Sequence, residues 1–179
     1  MAGLCEGGNE PPGSLKAITS VSSLLHRDGM FGRIHHQVRS IIATALKDSD
    51  YNTFEEVHGL SVTGSTRRID IIAFKESTRS GYIIDPTVHF ETDEEQPAEV
   101  DNEKKNIYNL TIPYYLKKYQ LKELEVIGLL VGARGTATLF MKDVFKRLGI
   151  PTSFIPIVTL AALKGSIALL KNHLYSKSN

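Results

Sequence analysis

The sequence has no tryptophan and a single cysteine, Cys5. One thiol cannot close a disulfide within the chain or build a cysteine-rich zinc site, which excludes a disulfide-stapled scaffold and a zinc-finger module. It also fits a reducing compartment. Excess charge of either sign is missing as well: 21 Lys and Arg against 20 Asp and Glu leave a formal net charge of +1. Contact with a polyanion therefore has to come from local groups, such as Arg67-Arg68 and Lys117-Lys118, rather than from a globally basic surface. No apolar run reaches about 18 residues, so no transmembrane helix and no membrane partner are expected. The first residues lack the basic-then-apolar order of a secretory signal, which leaves a nuclear or cytoplasmic protein as the expectation.

What is present is an ordinary globular composition, 41% hydrophobic and 23% charged over 179 residues, enough for one domain with a real core. Residues 1–24 begin rich in Gly, Pro, Asn and Glu and read as a disordered or weakly structured leader. Residues 25–176 read as one domain and 177–179 as a tail. Ile34, Val38, Ile41, Ile42 and Ala45 recur at helical spacing, predicting a helix over Ile34–Leu46 with His35 and His36 on its surface. Thr53–Leu60, Arg68–Lys75 and Ser80–His89 read as strands, the last two joined as an antiparallel hairpin by the polar Lys75–Ser80. The Gly59–Arg68 stretch between the first two reads as a turn. An acidic loop follows, then a helix opened by Pro97 and running to about Leu110, interrupted or restarted at Pro113. Leu124–Val131 is a fourth strand, Thr138–Leu148 an amphipathic helix ended by Gly149, and Thr159–Leu174 a last helix. This order predicts an α/β fold with a central mixed β-sheet flanked by helices.

Two aspartates carry the chemistry. Asp70 stands in Arg67-Arg68-Ile69-Asp70, and Asp85 closes the apolar run Tyr82-Ile83-Ile84, with fourteen residues between the two acids. Strands paired as a hairpin can bring such carboxylates together, and two converging carboxylates suit a hard divalent cation, Mg²⁺ or Mn²⁺. Aspartate is disfavoured in a buried strand, and a metal would balance its charge there. In the general nuclease pattern, a proline–aspartate pair is followed by a second acid, one spacer and a lysine. Here Asp85-Pro86-Thr87 has Thr87 in the lysine's place, with the Pro86 carbonyl still able to ligate metal. Lys104 offers a substitute charge: Val100, Lys104 and Tyr108 are spaced four apart and share a helix face.

With these residues in view, the stretch from Leu24 to Leu174 resembles the restriction-like endonuclease domain of site-specific non-LTR retrotransposons. The likeness rests on segments 35–43, 55–60, 64–73, 84–91 and 100–108, in the family's order, with a later similarity over 128–136. It implies a restriction-endonuclease-like core of the PD-(D/E)xK type whose lysine has moved onto the following helix. It further implies that Asp70 and Asp85 bind Mg²⁺, that Lys104 is the catalytic lysine and that Tyr108 supports it. The implied activity is metal-dependent cleavage of DNA leaving a 3′ hydroxyl, which primes reverse transcription in the parent elements. Ile69 stands where the broad pattern has proline, a change of backbone rigidity more than of chemistry.

Further candidates surround this set. His36 opens the first helix, where related nucleases place an acid facing the site, and Glu56 on the first strand is a possible outer acid with Glu55 pointing the other way. Ser65, Arg67 and Arg68 lead into the Asp70 strand and are candidates to hold DNA phosphates. Gly132-Ala133-Arg134-Gly135 lacks the Gly-Lys-Ser/Thr end of a nucleotide-binding loop and reads as a structural turn, with Arg134 a candidate substrate contact. Asn109-Leu110-Thr111 matches a glycosylation pattern that matters only in a secreted protein. The reverse transcriptase and Cys/His knuckle that precede this domain in the family are not found in these residues, so a truncated or host-adopted copy is expected. Two other classes stay open: a catalytically inactive nucleic-acid-binding relic, and a nuclease of the Holliday-junction-resolvase kind.

Overall fold

Alternating apolar residues and one short polar turn dictate the centre of the molecule. The structure, a computed structural model, describes residues 30–175; the expected leader with Cys5, and the tail, lie outside the described residues. The elements run α1 (Met30–Lys47), β1 (Asn52–Leu60), β2 (Thr66–Lys75), β3 (Ser80–His89), α2 (Gln96–Tyr108), a 3₁₀ turn (Asn109–Thr111), α3 (Ile112–Tyr119), β4 (Glu123–Gly132), α4 (Leu139–Leu148) and α5 (Phe154–Tyr175). The strands form one sheet in the order β1-β2-β3-β4. β1, β2 and β3 are antiparallel neighbours, and β4 joins β3 in parallel. A parallel pair needs a long crossover, and α2, the 3₁₀ turn and α3 supply it. The chain is therefore α/β, with a four-stranded mixed sheet flanked by helices.

Two apolar layers sandwich the sheet. On one face Ile34, Val38, Ile42 and Leu46 of α1, with Met141 and Phe145 of α4 and Val158 and Ala162 of α5, cover Ile71, Ile84, Ile127 and Leu129. On the other, Tyr115 of α3, with Tyr108 and Ile112, covers Ile72, Ile83 and Val126. β3 shows the split directly: Ile84 and Val88 join the first layer, Ile83 the second. Alternation then turns Asp85, Thr87 and His89 toward α2.

Several boundaries differ from the sequence reading. β2 begins at Thr66, so Arg67 and Arg68 belong to a strand, opposite Gly59 and His58 of β1, and not to a loop. Cross-strand pairing extended the strand past residues that look polar enough for a turn. β3, by contrast, keeps its expected bounds Ser80–His89, with Asp85 inside it, and β4 pairs along its whole length. Pro113 restarts the chain as the separate helix α3. α5 begins at Phe154, before Pro156, since proline is tolerated in a first turn. No uninterrupted apolar run reaches about 18 residues, yet by length and composition alone α5 is long and apolar enough to cross a membrane, with a mean hydropathy of 1.7 and 39% of that window buried. Thr159, Lys164 and Ser166 interrupt the run without lowering the average enough. Ile155, Val158, Ala162 and Leu169 of this helix are buried. Its crossing with α1 is close: a Cβ on Gly165 would lie 2.4 Å from the Ile34 side chain.

Candidate metal centre

The register of the hairpin positions the two acids. β2 and β3 pair from Lys75↔Ser80 to Ile71↔Ile84. The next rung would set Asp70 opposite Asp85, and pairing stops there. Like charges directly opposite each other destabilise a ladder. Beyond this point β2 stays with β1 and β3 stays with β4, so the sheet opens into a notch. Pro86, which has no N–H to give a ladder, stands where β2 has already left. β2 also rotates here: Ile71 packs into the α1 layer while Ile69, two residues away, packs under α3. Opposite it on β1, Glu56 adopts a left-handed backbone (φ 54°).

Side chains from both helical layers meet in this notch. From α1, the His35 Nε2 lies 3.0 Å from the Asp70 Oδ2. From α2, the Lys104 Nζ lies 3.2 Å from the Asp85 Oδ1, and the Tyr108 hydroxyl donates to the Asp85 Oδ2 at 2.7 Å. Asp70 and Asp85 are 7% and 4% exposed, so neither carboxylate is neutralised by bulk water. One ligand atom each from His35, Asp70 and Asp85 lie within 4.8 Å of one another. Ligands about 2.1 Å from one octahedral ion stand about 3 Å apart when adjacent, so small side-chain rotations bring this set onto a single cation.

The electrostatics point the same way. Burial pushes the Asp85 carboxyl above its usual range, and the neighbouring Asp70 charge adds to the rise; Lys104 and Tyr108 pull it back only in part. The hydrogen bond to Asp70 raises the His35 imidazole, and burial opposes it. Burial and the Asp85 charge raise the Tyr108 hydroxyl, which therefore stays a donor. His35 faces Asp70 and Lys104 faces Asp85, and a divalent cation suits the donor set of two hard oxygens and one imidazole.

A buried carboxylate holds Lys104 in place. Asp101 accepts from the Gly128 N–H of β4 at 2.9 Å and from the Lys105 Nζ at 2.6 Å. Gly128 permits this approach: a Cβ there would sit 2.6 Å from the Val100 carbonyl oxygen and 2.8 Å from the Lys104 Cγ. Lys105 is thus committed to Asp101, which leaves Lys104 for the site.

The other sequence candidates divide. A cleft of about 480 Å³ is lined by His35, Asp70, Asp85 and Lys104, with Arg68, Pro86, Thr87, His89 and Tyr108 also along it. Arg67 is exposed beside the site, its charge felt at Tyr108. His36 is not in this cleft; its Nδ1 lies 3.5 Å from Glu56, because one residue of helical rotation turns it 100° from His35. Ser65 is tied into the β1–β2 turn through the Ser61 hydroxyl at 2.7 Å. Arg134 is committed to Glu91, through its Nε to a carboxylate oxygen at 3.2 Å and through NH2 to the carbonyl at 2.8 Å. Glu55 and Glu56 do not point apart as strand residues should: both accept from Arg39, since the left-handed Glu56 breaks the alternation. His35 is the residue the sequence reading left on the surface.

No protein-family model matches the chain, and no curated protein matches it. Among solved structures, a protein of unknown function, AF1548, is similar with a TM-score of 0.36 and 12% identity over 78% of this chain and 97% of its own. A likeness at that level carries no argument about function.

Proposed function

We propose that the chain is a metal-dependent DNA endonuclease with a restriction-endonuclease-like core of the PD-(D/E)xK type, akin to the nuclease domain of site-specific non-LTR retrotransposons or a shortened copy of one. The observation that carries this reading is the convergence of His35, Asp70 and Asp85 within 4.8 Å, with Lys104 on the open side.

His35, Asp70 and Asp85 would hold a Mg²⁺ or Mn²⁺ ion, with the Pro86 carbonyl in the same cleft as a further oxygen. Such an ion, when bound, supplies a Lewis acid at a phosphoryl oxygen and a water of lowered pKa. Lys104 is placed to neutralise charge that gathers on the phosphate oxygens as water attacks phosphorus. The bond from phosphorus to the 3′ oxygen then breaks, the leaving oxygen takes up a proton, and a 5′ phosphate remains. Tyr108 fixes the rotamer of Asp85 by donating to one carboxylate oxygen. Arg67 and Arg68, exposed on the β2 side of the notch, supply local positive charge for the DNA backbone.

Nicking of supercoiled plasmid tests the reading. Wild type is expected to convert plasmid to open circle with Mg²⁺ or Mn²⁺ and not with EDTA. Asp70→Ala and Asp85→Ala are expected to lose several orders of magnitude in rate, because metal binding itself is lost. Undiminished nicking by both variants would sink the assignment; a wild type that binds DNA but never cuts it would mark a relic.

A further inference from the structure

The cleft does not end at the metal centre. It continues along β3 past Thr87 and Val88 to His89, with Lys104 and the Glu103 carboxylate on the facing wall. At a rise of about 3.3 Å per residue, Thr87 and His89 lie roughly 7 and 13 Å from Asp85 on the same strand face. That span is the reach of one or two nucleotides along a backbone.

His89 is held by a buried device. Gln96, 8% exposed at the start of α2, accepts the Thr92 N–H on its side-chain oxygen at 3.0 Å, which fixes the amide's orientation. Its nitrogen then donates to the Phe90 carbonyl at 3.0 Å and faces the His89 Nδ1 at 3.2 Å. In the neutral tautomer that accepts from Gln96 at Nδ1, Nε2 carries the hydrogen. In the protonated ring both nitrogens carry one, and Nδ1 lies 3.0 Å from the Phe90 carbonyl oxygen, which can accept from it. Nε2 is a donor in both of these forms, and it has no hydrogen-bond partner among the described residues. A ring nitrogen that offers a hydrogen into the cleft suits an anion.

We propose that His89, set by Gln96, binds a backbone phosphate of the nucleic acid one or two nucleotides from the one cleaved, in a subsite formed with Thr87. This rests on the nuclease reading for the position of the cleaved phosphate. His89 touches substrate away from the reacting atoms, so its removal should weaken binding and spare chemistry.

The test measures affinity for a fluorescein-labelled duplex in Ca²⁺, and nicking kinetics separately in Mn²⁺. His89→Phe keeps the ring and removes the donor; it is expected to raise Kd and KM about tenfold with kcat within twofold of wild type. His89→Lys is expected to restore affinity, and Gln96→Leu to reproduce part of the loss with a lowered melting temperature, since two backbone groups lose their partner. If His89→Phe binds as wild type does while wild type still nicks, the subsite is wrong and the nuclease reading stands. A loss in kcat at unchanged KM would also overturn it. If His89→Phe weakens binding and wild type never nicks, the phosphate site stands and the nuclease reading fails. A wild type that does not bind the duplex overturns both.

Discussion

At the scale of single residues, the donor set decides the chemistry. Two carboxylates alone favour Mg²⁺, which binds oxygen; an imidazole raises affinity for Mn²⁺ relative to Mg²⁺. His35 therefore makes a testable difference. His35→Ala is expected to raise the Mn²⁺ concentration needed for half-maximal nicking by at least tenfold while moving the Mg²⁺ requirement less, read by titrating each metal into the plasmid assay. Equal shifts for both ions would mean that His35 only orients Asp70 through their 3.0 Å contact. The histidine pair also marks the limit of what the sequence says. Asp70 and Asp85 were legible because hairpin register can be counted from a short turn, and Lys104 because four-residue spacing fixes a helix face. Neither rule chooses between His35 and His36, since nothing local tells how α1 is rotated against a notch that long-range pairing creates.

At the scale of elements, the site depends on how closely α2 lies against β4. The Asp101–Gly128 bond and the absence of a side chain at Gly128 set that distance. Gly128→Ala forces a methyl group against the Val100 carbonyl and the Lys104 stem. The expected result is a loss of about 1–3 kcal/mol in urea denaturation together with a fall in kcat larger than the change in metal affinity. An unchanged midpoint would show that α2 gives way freely. On the opposite layer Arg39 joins α1 to β1 through Glu55 and Glu56. The Arg39 hydrogen bond holds the Glu56 carboxyl below its ordinary value near 4.5. Stability from this contact is thus fully present above that ordinary value and is lost as pH falls through the depressed one. The gap in urea midpoint between wild type and Arg39→Met is expected to be full at pH 6 and to narrow below pH 4; a gap constant with pH would place the contribution in packing. The hairpin, the mixed sheet and most helices were legible from apolar periodicity. The left-handed Glu56 and the Asp101–Gly128 clamp were not, because each depends on a partner far away in the chain.

At the scale of the whole molecule, the fold brings two helical layers together at one point. The sheet separates α1 from α2 except where β2 and β3 part, and His35 reaches Asp70 from one side while Lys104 and Tyr108 reach Asp85 from the other. With a near-zero net charge, the proposed hold on DNA would rest on local groups such as Arg67 and Arg68 and not on a general field. Branched against linear substrates would separate a junction-directed enzyme from one that nicks duplexes. The central claim is that one cation, held by His35, Asp70 and Asp85, makes this chain a nuclease. The direct measurement is a Mn²⁺ titration followed in parallel by electron paramagnetic resonance and by plasmid nicking. The account expects one saturable site, a nicking rate that rises in proportion to its occupancy, and loss of both signals in Asp85→Ala. Saturable binding with no nicking at full occupancy, or nicking that persists in Asp85→Ala, would contradict it.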